Sequence, residues 1–566
     1  MELYIDQQTI IPEPGQSLSV LVDRLGLNST ELKTMPLAAK ISGEVFNLNY
    51  VPVRISDVSG ERPSIRRAMQ ASEGVVKLLR YSDPAGRDVY TRTSQFVIFL
   101  AIHRLWPNAR AVMNCKVGKA LYVQVLQAPA FDIALLKTEI QKIVAENIPL
   151  IRKSISTEQA KEFFKKDGQT DKSGLLAWRQ IPEFSIYQWD DFADYYYGEL
   201  APSTGCLQVW DIIPAEEGFM FLYPDDCDPS RVAHYEDLPK FLSVSMEGQR
   251  WCALMGCENV ADLNLLVETG KIRELIRVNE ALHEKRYSQV ADMICERGAK
   301  AVMLAGPSSS GKTTSANRLA TQLRVHGKKP ILMSLDDYYL DRDLIQPGPD
   351  GKIDYEHINT IDTALFRVHM QKLLDGESVE LPRFNFLTGK REQSGKMLSI
   401  SCDSVIIVEG LHALNPVLLP QGLQHDLVFK LYVSPLLPLN LDDHNRIPTS
   451  LLRLLRRTVR DYMTRGSSVQ NTMAMWNSVR RGEERWIFPF QEQADVIFNS
   501  STLYEIAVLK KHIYPLLMAV EPEEPCYEQV RSLVKILNYV IEADVDDEIP
   551  PTSLVREFIG GNSYYK

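Results

Sequence analysis

No C-x-x-C pair occurs in this sequence: its eight cysteines (Cys115, Cys206, Cys227, Cys252, Cys257, Cys295, Cys402, Cys526) are scattered, without the paired spacing of a zinc site. Reduced core or surface thiols are the expectation. Long apolar runs are missing too, none approaching the ~18 residues of a membrane span, and the opening MELYIDQQTI carries acids where a secretory leader has a basic segment. The expectation is a cytoplasmic protein with no membrane partner. Nor is there an excess of positive charge, since 63 Lys and Arg stand against 73 Asp and Glu, a net charge of −10. That excludes generic nucleic-acid binding through a basic surface, though not a local basic patch. With 566 residues, 45% hydrophobic and 24% charged, the composition is ordinary and globular. The length exceeds one core and implies roughly three or four domains.

What is present is a phosphate-binding stretch, VMLAGPSSSGKTT from Val302 to Thr314. An apolar strand enters Gly306, and the spacing G-x-x-x-x-G-K-T then sets Gly306, Gly311, Lys312 and Thr313 in the key positions. Glycines let successive backbone N–H groups turn inward around a polyphosphate, and the helix beginning near Lys312 directs its positive end at the same anion. Residues Gly306, Pro307, Ser308, Ser309, Ser310, Gly311, Lys312, Thr313 and Thr314 are therefore the candidate nucleotide-binding loop. Lys312 would reach the β and γ phosphates of ATP, and the Thr313 hydroxyl would ligate Mg²⁺.

The front of the chain reads differently. Residues 1–84 alternate short strands (Leu3 to Ile5, Thr9 to Ile11, Ala38 to Ile41, Gly74 to Leu79) with a helix from Ser17 to Arg24 carrying Leu18, Leu21 and Val22 on one face. With AAKISGEVFNLN, this order resembles the ubiquitin-like TGS domain at the front of threonyl-tRNA synthetases and some GTPases. Nine Lys or Arg against ten Asp or Glu in these residues leave RNA binding without electrostatic support. Arg62, Arg66 and Arg67 are the one local basic cluster. Residues 85–235 contain YTRTSQFVIFLAIHRLWPNARAVMNCKVGKALYVQVL and DFADYYYGELAPSTG, which resemble the α+β editing domain of threonyl-tRNA synthetases. That family's H-x-x-x-H and C-x-x-x-H positions hold Arg92, Phe96, Tyr196 and Leu200 here, side chains that cannot replace imidazole and thiolate at a metal or a water. The editing chemistry is expected to be lost. Arg92 and Tyr195, Tyr196 and Tyr197 are candidates to line a residual cleft, but the tyrosines are expected to pack with their hydroxyls at the surface. Residues 236–298 show helical periodicity and read as a connector, with His283 expected on a helix surface or in packing.

From Lys300 onward strands and helices alternate, which implies a mostly parallel sheet covered on both faces, with ligands at the C-terminal strand ends. Two carboxylates fall at such ends: Asp336 in LDDYY and Glu409 in VIIVEG. A kinase needs such groups to accept the proton of the attacking hydroxyl and to hold Mg²⁺; the bland alternative is that both cap the following turns.

GPSSSGKTT, SLDDYYLDR, VEGLHALN and LLRRTVRDYMTRG together resemble the phosphoribulokinase and uridine kinase family over about residues 300–500. The resemblance implies Asp336 as base, Thr313, Asp336 and Glu409 as the Mg²⁺ environment, and a basic helix opening a lid over ATP. Arg457 and Arg460 fit its lid positions, whereas Arg453 and Arg456 read as a solvated helix face. Tyr339, Glu356, His357 and Phe384 stand where uridine kinases hold ribose and base, with Glu356 suited to grip two ribose hydroxyls. Other expected partners are replaced: Gly389 stands for a base-reading histidine, Ser467 and Met475 for an arginine and a glutamine, and Leu451 for the lid aspartate. Uridine itself is thereby put in doubt. The reading is a multidomain α/β and α+β protein, divided at residues 1–84, 85–235, 236–298 and 299–566, whose last part is an ATP- and Mg²⁺-dependent kinase acting on the 5′-hydroxyl of a nucleoside. The alternatives are a kinase of a phosphosugar or other small hydroxyl compound, and an RNA-binding regulatory ATPase.

Overall fold

The computed structural model describes residues 3–41, 43–52, 75–179, 181–346, 354–386, 388–420 and 422–564. The chain forms two compact units, Met1–Asp237 with Asn440–Arg446, and Leu238–Leu439 with Ile447–Lys566. The basic cluster Arg62, Arg66 and Arg67, and Gly74, lie outside the described residues.

The first unit begins with a ubiquitin-like roll. Strands β1 (Leu3–Ile5), β2 (Gln8–Ile10), β3 (Ala38–Ile41), β4 (Glu44–Phe46) and β5 (Val75–Leu79) form a sheet in the order β2-β1-β5-β3-β4, with β1 and β5 parallel. Helix α1 (Leu18–Arg24) starts where the Ser17 hydroxyl accepts the Val20 N–H, and it buries Leu18, Leu21 and Val22 against that sheet's core. The rest of the unit is α+β. Helix α2 (Pro84–Leu105) buries a long apolar run and packs with β6 (Arg110–Val117), β7 (Ala120–Leu126) and α3 (Ile133–Glu146) in one core. Strand β8 (Arg152–Ser156) leads through α4 (Thr157–Lys166) and α5 (Thr170–Leu175) to β9 (Glu183–Trp189) and β10 (Phe192–Asp194), a small antiparallel sheet. Strands β11 (Asp211–Ala215) and β12 (Gly218–Leu222) complete the antiparallel sheet β11-β12-β7-β6.

The second unit opens with three helices, α6 (Pro239–Leu254), α7 (Val260–Glu268) and α8 (Ile272–Arg297), the last ending at Gly298 with φ 71°, a left-handed stop that glycine adopts without Cβ strain. Strands β13 (Ala301–Ala305), β14 (Lys329–Ser334), β17 (Ser404–Glu409), β18 (Val428–Ser434) and β19 (Val496–Asn499) then make an all-parallel sheet in the order β14-β17-β13-β18-β19. The near-continuous apolar runs AVMLA and SVIIV are buried throughout, as expected for strands covered on both faces. Helices α9 (Lys312–Val325) and α10 (Thr363–Leu374) belong to the flanking layers, and β15 (Val379–Asn385) with β16 (Lys390–Leu398) form a hairpin. Helix α11 (Thr449–Arg465) stops at Gly466, φ 61°, and α12 (Val469–Trp486) begins under the Ser468 hydroxyl, which accepts the Asn471 N–H. Helices α13 (Glu505–Met518) and α14 (Tyr527–Leu537) precede the single turn α15 (Arg556–Ile559).

All eight cysteines are free thiols. Among the described residues no helix is long and apolar enough to cross a membrane, and no group of three or more His, Cys, Asp or Glu side chains is arranged to hold a metal.

Candidate active site

The order of the parallel sheet assembles the site. Strand β13 delivers the glycine-rich loop, β17 lies beside it, and β14 lies beside β17, so the carboxylates after β14 and at the end of β17 stand next to the loop. Ser334 and Glu409 face each other in register. The Ser334 hydroxyl donates to Glu409 Oε1 at 3.1 Å and accepts the Asp336 N–H at 3.3 Å, which ties the two acidic strand ends together.

The loop itself demands its glycines. A Cβ on Gly306 would stand 2.1 Å from the Val433 carbonyl oxygen, and Gly311 has φ 85°. Ser309 holds φ 58°, a left-handed backbone that a non-glycine residue adopts at a cost of about 1–2 kcal/mol. The buried Ser309 and Ser310 hydroxyls have no hydrogen-bond partner, and Lys312 Nζ turns to the Pro307 carbonyl at 3.1 Å. Polar groups left open in a buried loop are donors awaiting an anion.

The electrostatics of the strand ends follow from crowding. Burial lowers the Lys312 ammonium from its ordinary range, with Glu409 and Asp336 acting in the opposite direction. Burial raises the Asp336 carboxyl, against the pull of Lys312. Glu409 is pushed up to about 7 by burial and by the neighbouring Asp336. Glu356 is also pushed up to about 7, by burial and then Glu483, and its Oε2 is buried without a partner. Lys312, Arg457 and Asp336 all act on Glu356, which brings it to the same site. Tyr339, raised well above its ordinary value by burial, Asp336, Glu356 and Glu409, joins them.

Around Tyr339 the rings of Phe384 (5.5 Å) and Phe386 (6.3 Å) form an aromatic wall, of which the family resemblance implies only Phe384. His357 is placed differently from the others: its Nδ1 accepts the Asn359 N–H at 3.0 Å and its ring packs on Trp486 at 4.2 Å. His412, in the turn after β17, is pushed down to about 4 by burial and is neutral at pH 7. Gly389 has φ 68°, its carbonyl accepts the Arg342 N–H, and a Cβ there would lie 2.6 Å from the Arg342 side chain.

The arginines of α11 divide into two sets. Arg457 Nη1 donates to Ser308 Oγ at 2.8 Å, and Arg457, Arg460 and Arg465 gather around the buried Asp461. Arg453 and Arg456, expected on a solvated face, are instead buried at 1% and 0% exposure. Arg453 makes a two-pronged pair with Glu483, and Arg456 another with Glu505 at 2.6 and 2.9 Å. Both also bind carbonyls of the phosphate loop, Ser308 and Ser309, so they brace the loop. Helical spacing could not separate the sets, because their acidic partners lie 30 and 49 residues away.

The first unit has its own polar cluster where the editing-like residues fall. Arg92 is half-buried, with Nε donating to the Glu199 carbonyl at 3.0 Å, while Phe96 and Leu200 are core residues. Tyr196 donates to Asp194 Oδ2 at 2.9 Å. Lys172 Nζ donates to Asp194 Oδ1 at 2.6 Å, and His444 Nδ1 lies 2.8 Å from Asp194 Oδ2. Burial opposes the charge on Asp194, but Lys172 and His444 hold its carboxyl well below the usual range. His444 comes from Asn440–Arg446, the segment that belongs to this unit, and its ring stacks on Phe99 at 3.5 Å and 8°. The same segment supplies Asp442 to the Tyr195 hydroxyl and Asp443 to Arg110 at 2.7 and 2.9 Å. The expectation that Tyr195 and Tyr196 turn their hydroxyls to the surface is therefore corrected: both donate to buried carboxylates, Tyr195 to one 247 residues away.

The uridine kinase of Vibrio vulnificus is 31% identical over 223 residues, which cover 38% of this chain and 96% of that enzyme. The chain belongs to the phosphoribulokinase/uridine kinase family. That family's model, Phosphoribulokinase / Uridine kinase, matches residues 301–507, the stretch that carries the phosphate loop, both acidic strand ends and the arginine helix. The threonine–tRNA ligase of Syntrophomonas wolfei is 31% identical over 187 residues, 32% of this chain, and its similarity falls in the N-terminal region. This chain spans about a quarter (26%) of that ligase. Among solved structures, a putative fructose transport system kinase from Silicibacter is 21% identical, over 38% of this chain and 98% of that one, with a TM-score of 0.28. Membership of the kinase family, carried by residues 301–507, supports a phosphotransferase reading.

Proposed function

We propose that the protein transfers the γ-phosphoryl group of ATP to the 5′-hydroxyl of a nucleoside. The observation that carries the reading is Glu356 Oε2, a buried carboxylate oxygen without a partner, within electrostatic reach of Asp336, Lys312 and Arg457. A carboxylate so placed suits the paired hydroxyls of a ribose, and the wall of Tyr339, Phe384 and Phe386 suits a planar base.

In this reading the loop from Gly306 to Thr314 cradles the polyphosphate, with Lys312 released from Pro307 to the β and γ phosphates. Asp336 accepts the proton of the acceptor hydroxyl at its carboxylate oxygen. Arg457, already at Ser308, and Arg460 face the transferring group, where guanidinium charge spreads over phosphoryl oxygens. The Thr313 hydroxyl with the Asp336 and Glu409 carboxylates is a set of hard oxygen donors that fits Mg²⁺, which when bound neutralises phosphate charge. Burial raises both the Glu409 and Asp336 carboxyls, and the neighbouring Asp336 raises Glu409 further.

The test is ADP release with ATP and Mg²⁺ against a panel of nucleosides and sugar phosphates, with Asp336→Asn as control. Formation of a nucleoside 5′-monophosphate that vanishes in the variant supports the proposal. Turnover confined to a sugar phosphate replaces the acceptor, and ADP release stimulated by tRNA alone sinks the kinase reading for an RNA-dependent ATPase.

A further inference from the structure

The first turn of α9 has backbone N–H groups without intrahelical partners, at the point where the phosphate loop ends. Ser315 already donates to the Gly311 carbonyl at 2.9 Å, so Thr314 carries the last open N–H of that turn. It is not free. Glu557 Oε2 accepts both the Thr314 hydroxyl, at 2.6 Å, and the Thr314 N–H, at 3.3 Å, while Asn562 Nδ2 donates to the same hydroxyl at 3.3 Å.

We propose that Glu557 is an internal competitor for the nucleotide, its carboxylate holding the Thr314 donors that an incoming phosphate must take. Carboxylate and phosphate oxygens use the same N–H and O–H donors, and two anions cannot occupy one pair of them. The rest of the loop shows the contrast: Ser309 and Ser310 hydroxyls are buried and unpartnered, whereas the Thr314 end is filled. Glu557 also acts electrostatically on both Lys312 and Glu409, so its charge lies within the site. A polyphosphate arriving there meets a like charge on its own donors.

The segment carrying Glu557 is seated rather than draped. Leu554 covers Gly311 so closely that a Cβ on the glycine would lie 2.5 Å from the leucine, and Phe558 lies under the Arg456 guanidinium at 4.9 Å. Ser553 donates to Glu280 Oε1 at 2.7 Å and accepts the Val555 N–H at 3.2 Å. Through Phe558 this segment touches α11, so its displacement would reach the helix that carries Arg457 and Arg460.

This inference rests on the nucleotide-site reading above, and the experiment separates the two. Full-length wild type, Glu557→Gln and Glu557→Ala are titrated with ATP and Mg²⁺ by calorimetry, without any acceptor. Both variants should bind ATP about tenfold or more tightly than wild type, Glu557→Gln because it removes the like charge and Glu557→Ala because it also frees the Thr314 donors. In a second measurement on the wild type alone, independent of how the variants fold, hydrogen exchange across residues 551–562 should rise when ATP is added. Equal or weaker binding by the variants, or exchange there that ATP leaves unchanged, overturns the competitor while leaving the nucleotide site standing. Absence of ATP binding in all three proteins overturns both.

Discussion

The Ser308 N–H donates to Glu483 Oε1 at 2.9 Å, so the phosphate loop and helix α12 share one fully buried carboxylate. Glu483 is also the partner of Arg453, and its Oε2 accepts from Arg480 at 3.2 Å. A loop that must present its donors in one geometry is thus held from behind by a charge pair that never touches solvent.

Arg453→Ala should therefore behave as a folding mutation. It leaves the buried Glu483 with only the partly exposed Arg480 as a cationic partner, at a cost of about 3–5 kcal/mol, read as a lower denaturant midpoint. Arg460→Ala leaves Asp461 with Arg457 and Arg465, so its stability should change by about 1 kcal/mol or less while kcat falls on the order of 10- to 1000-fold. The opposite ranking in either assay would contradict the division of α11 into bracing and phosphate-facing arginines.

Asp336→Asn keeps the shape of the side chain and removes the base. Turnover is expected to drop roughly 100- to 10,000-fold with ATP affinity within a few-fold of wild type. Turnover comparable to wild type would leave Asp336 as a turn cap.

The raised carboxyls give a pH signature. Glu409 and Glu356 titrate near 7 in the folded protein and near 4.5 unfolded, so the folded state keeps protons that the unfolded state has released. Their contribution is full below about 4.5 and is lost as pH rises through about 7. His283 and His412, both pushed down to about 4 by burial, work in the other direction below about 6.5. The window to watch is pH 6.5 to 8: the melting temperature of the nucleotide-free protein should fall across it, and fall less in Glu409→Gln. The wild-type change should be on the order of 1–3 kcal/mol.

Lys172→Met leaves Asp194 buried with only His444 as a cationic neighbour. A loss of about 3–5 kcal/mol is expected in thermal or chaotrope unfolding of the full-length protein. Wild-type stability in this variant would mean that the cluster admits water.

Gly389→His introduces the histidine that the family resemblance implies at this position but not its setting. At φ 68°, with the Arg342 side chain where a Cβ would go, histidine should lower stability by about 1–3 kcal/mol and should not raise kcat/KM for uridine. An increase in kcat/KM would show that Arg342 yields readily.

Much of this was legible from sequence because it is local. The phosphate loop, the apolar strands entering it, the acids at strand ends and the apolar face of α1 are all written within a dozen residues. The element order of the roll was equally readable, since β1, β2 and α1 each carry their own period. What escaped is non-local. Arg453 and Arg457 lie one turn apart with the same charge, and only Glu483, in the next helix, makes one a brace. Phe386 lies one residue past the end of β15, and the family resemblance points to Phe384 alone. Glu557 sits 243 residues beyond Thr314, in a turn too short to give a periodic signal.

Asn440–Arg446 has a consequence for how the chain can be made and cut. The polypeptide leaves the second unit after Leu439, lends seven residues to the first, and returns at Ile447. As the ribosome works from the N-terminus, the first unit has to wait, with Lys172 and Asp194 in hand but without His444 and Asp442, until most of the kinase has emerged. A recombinant fragment ending at Asp237 would lack the seven residues that complete its unit, and is expected to stay in that unfinished condition.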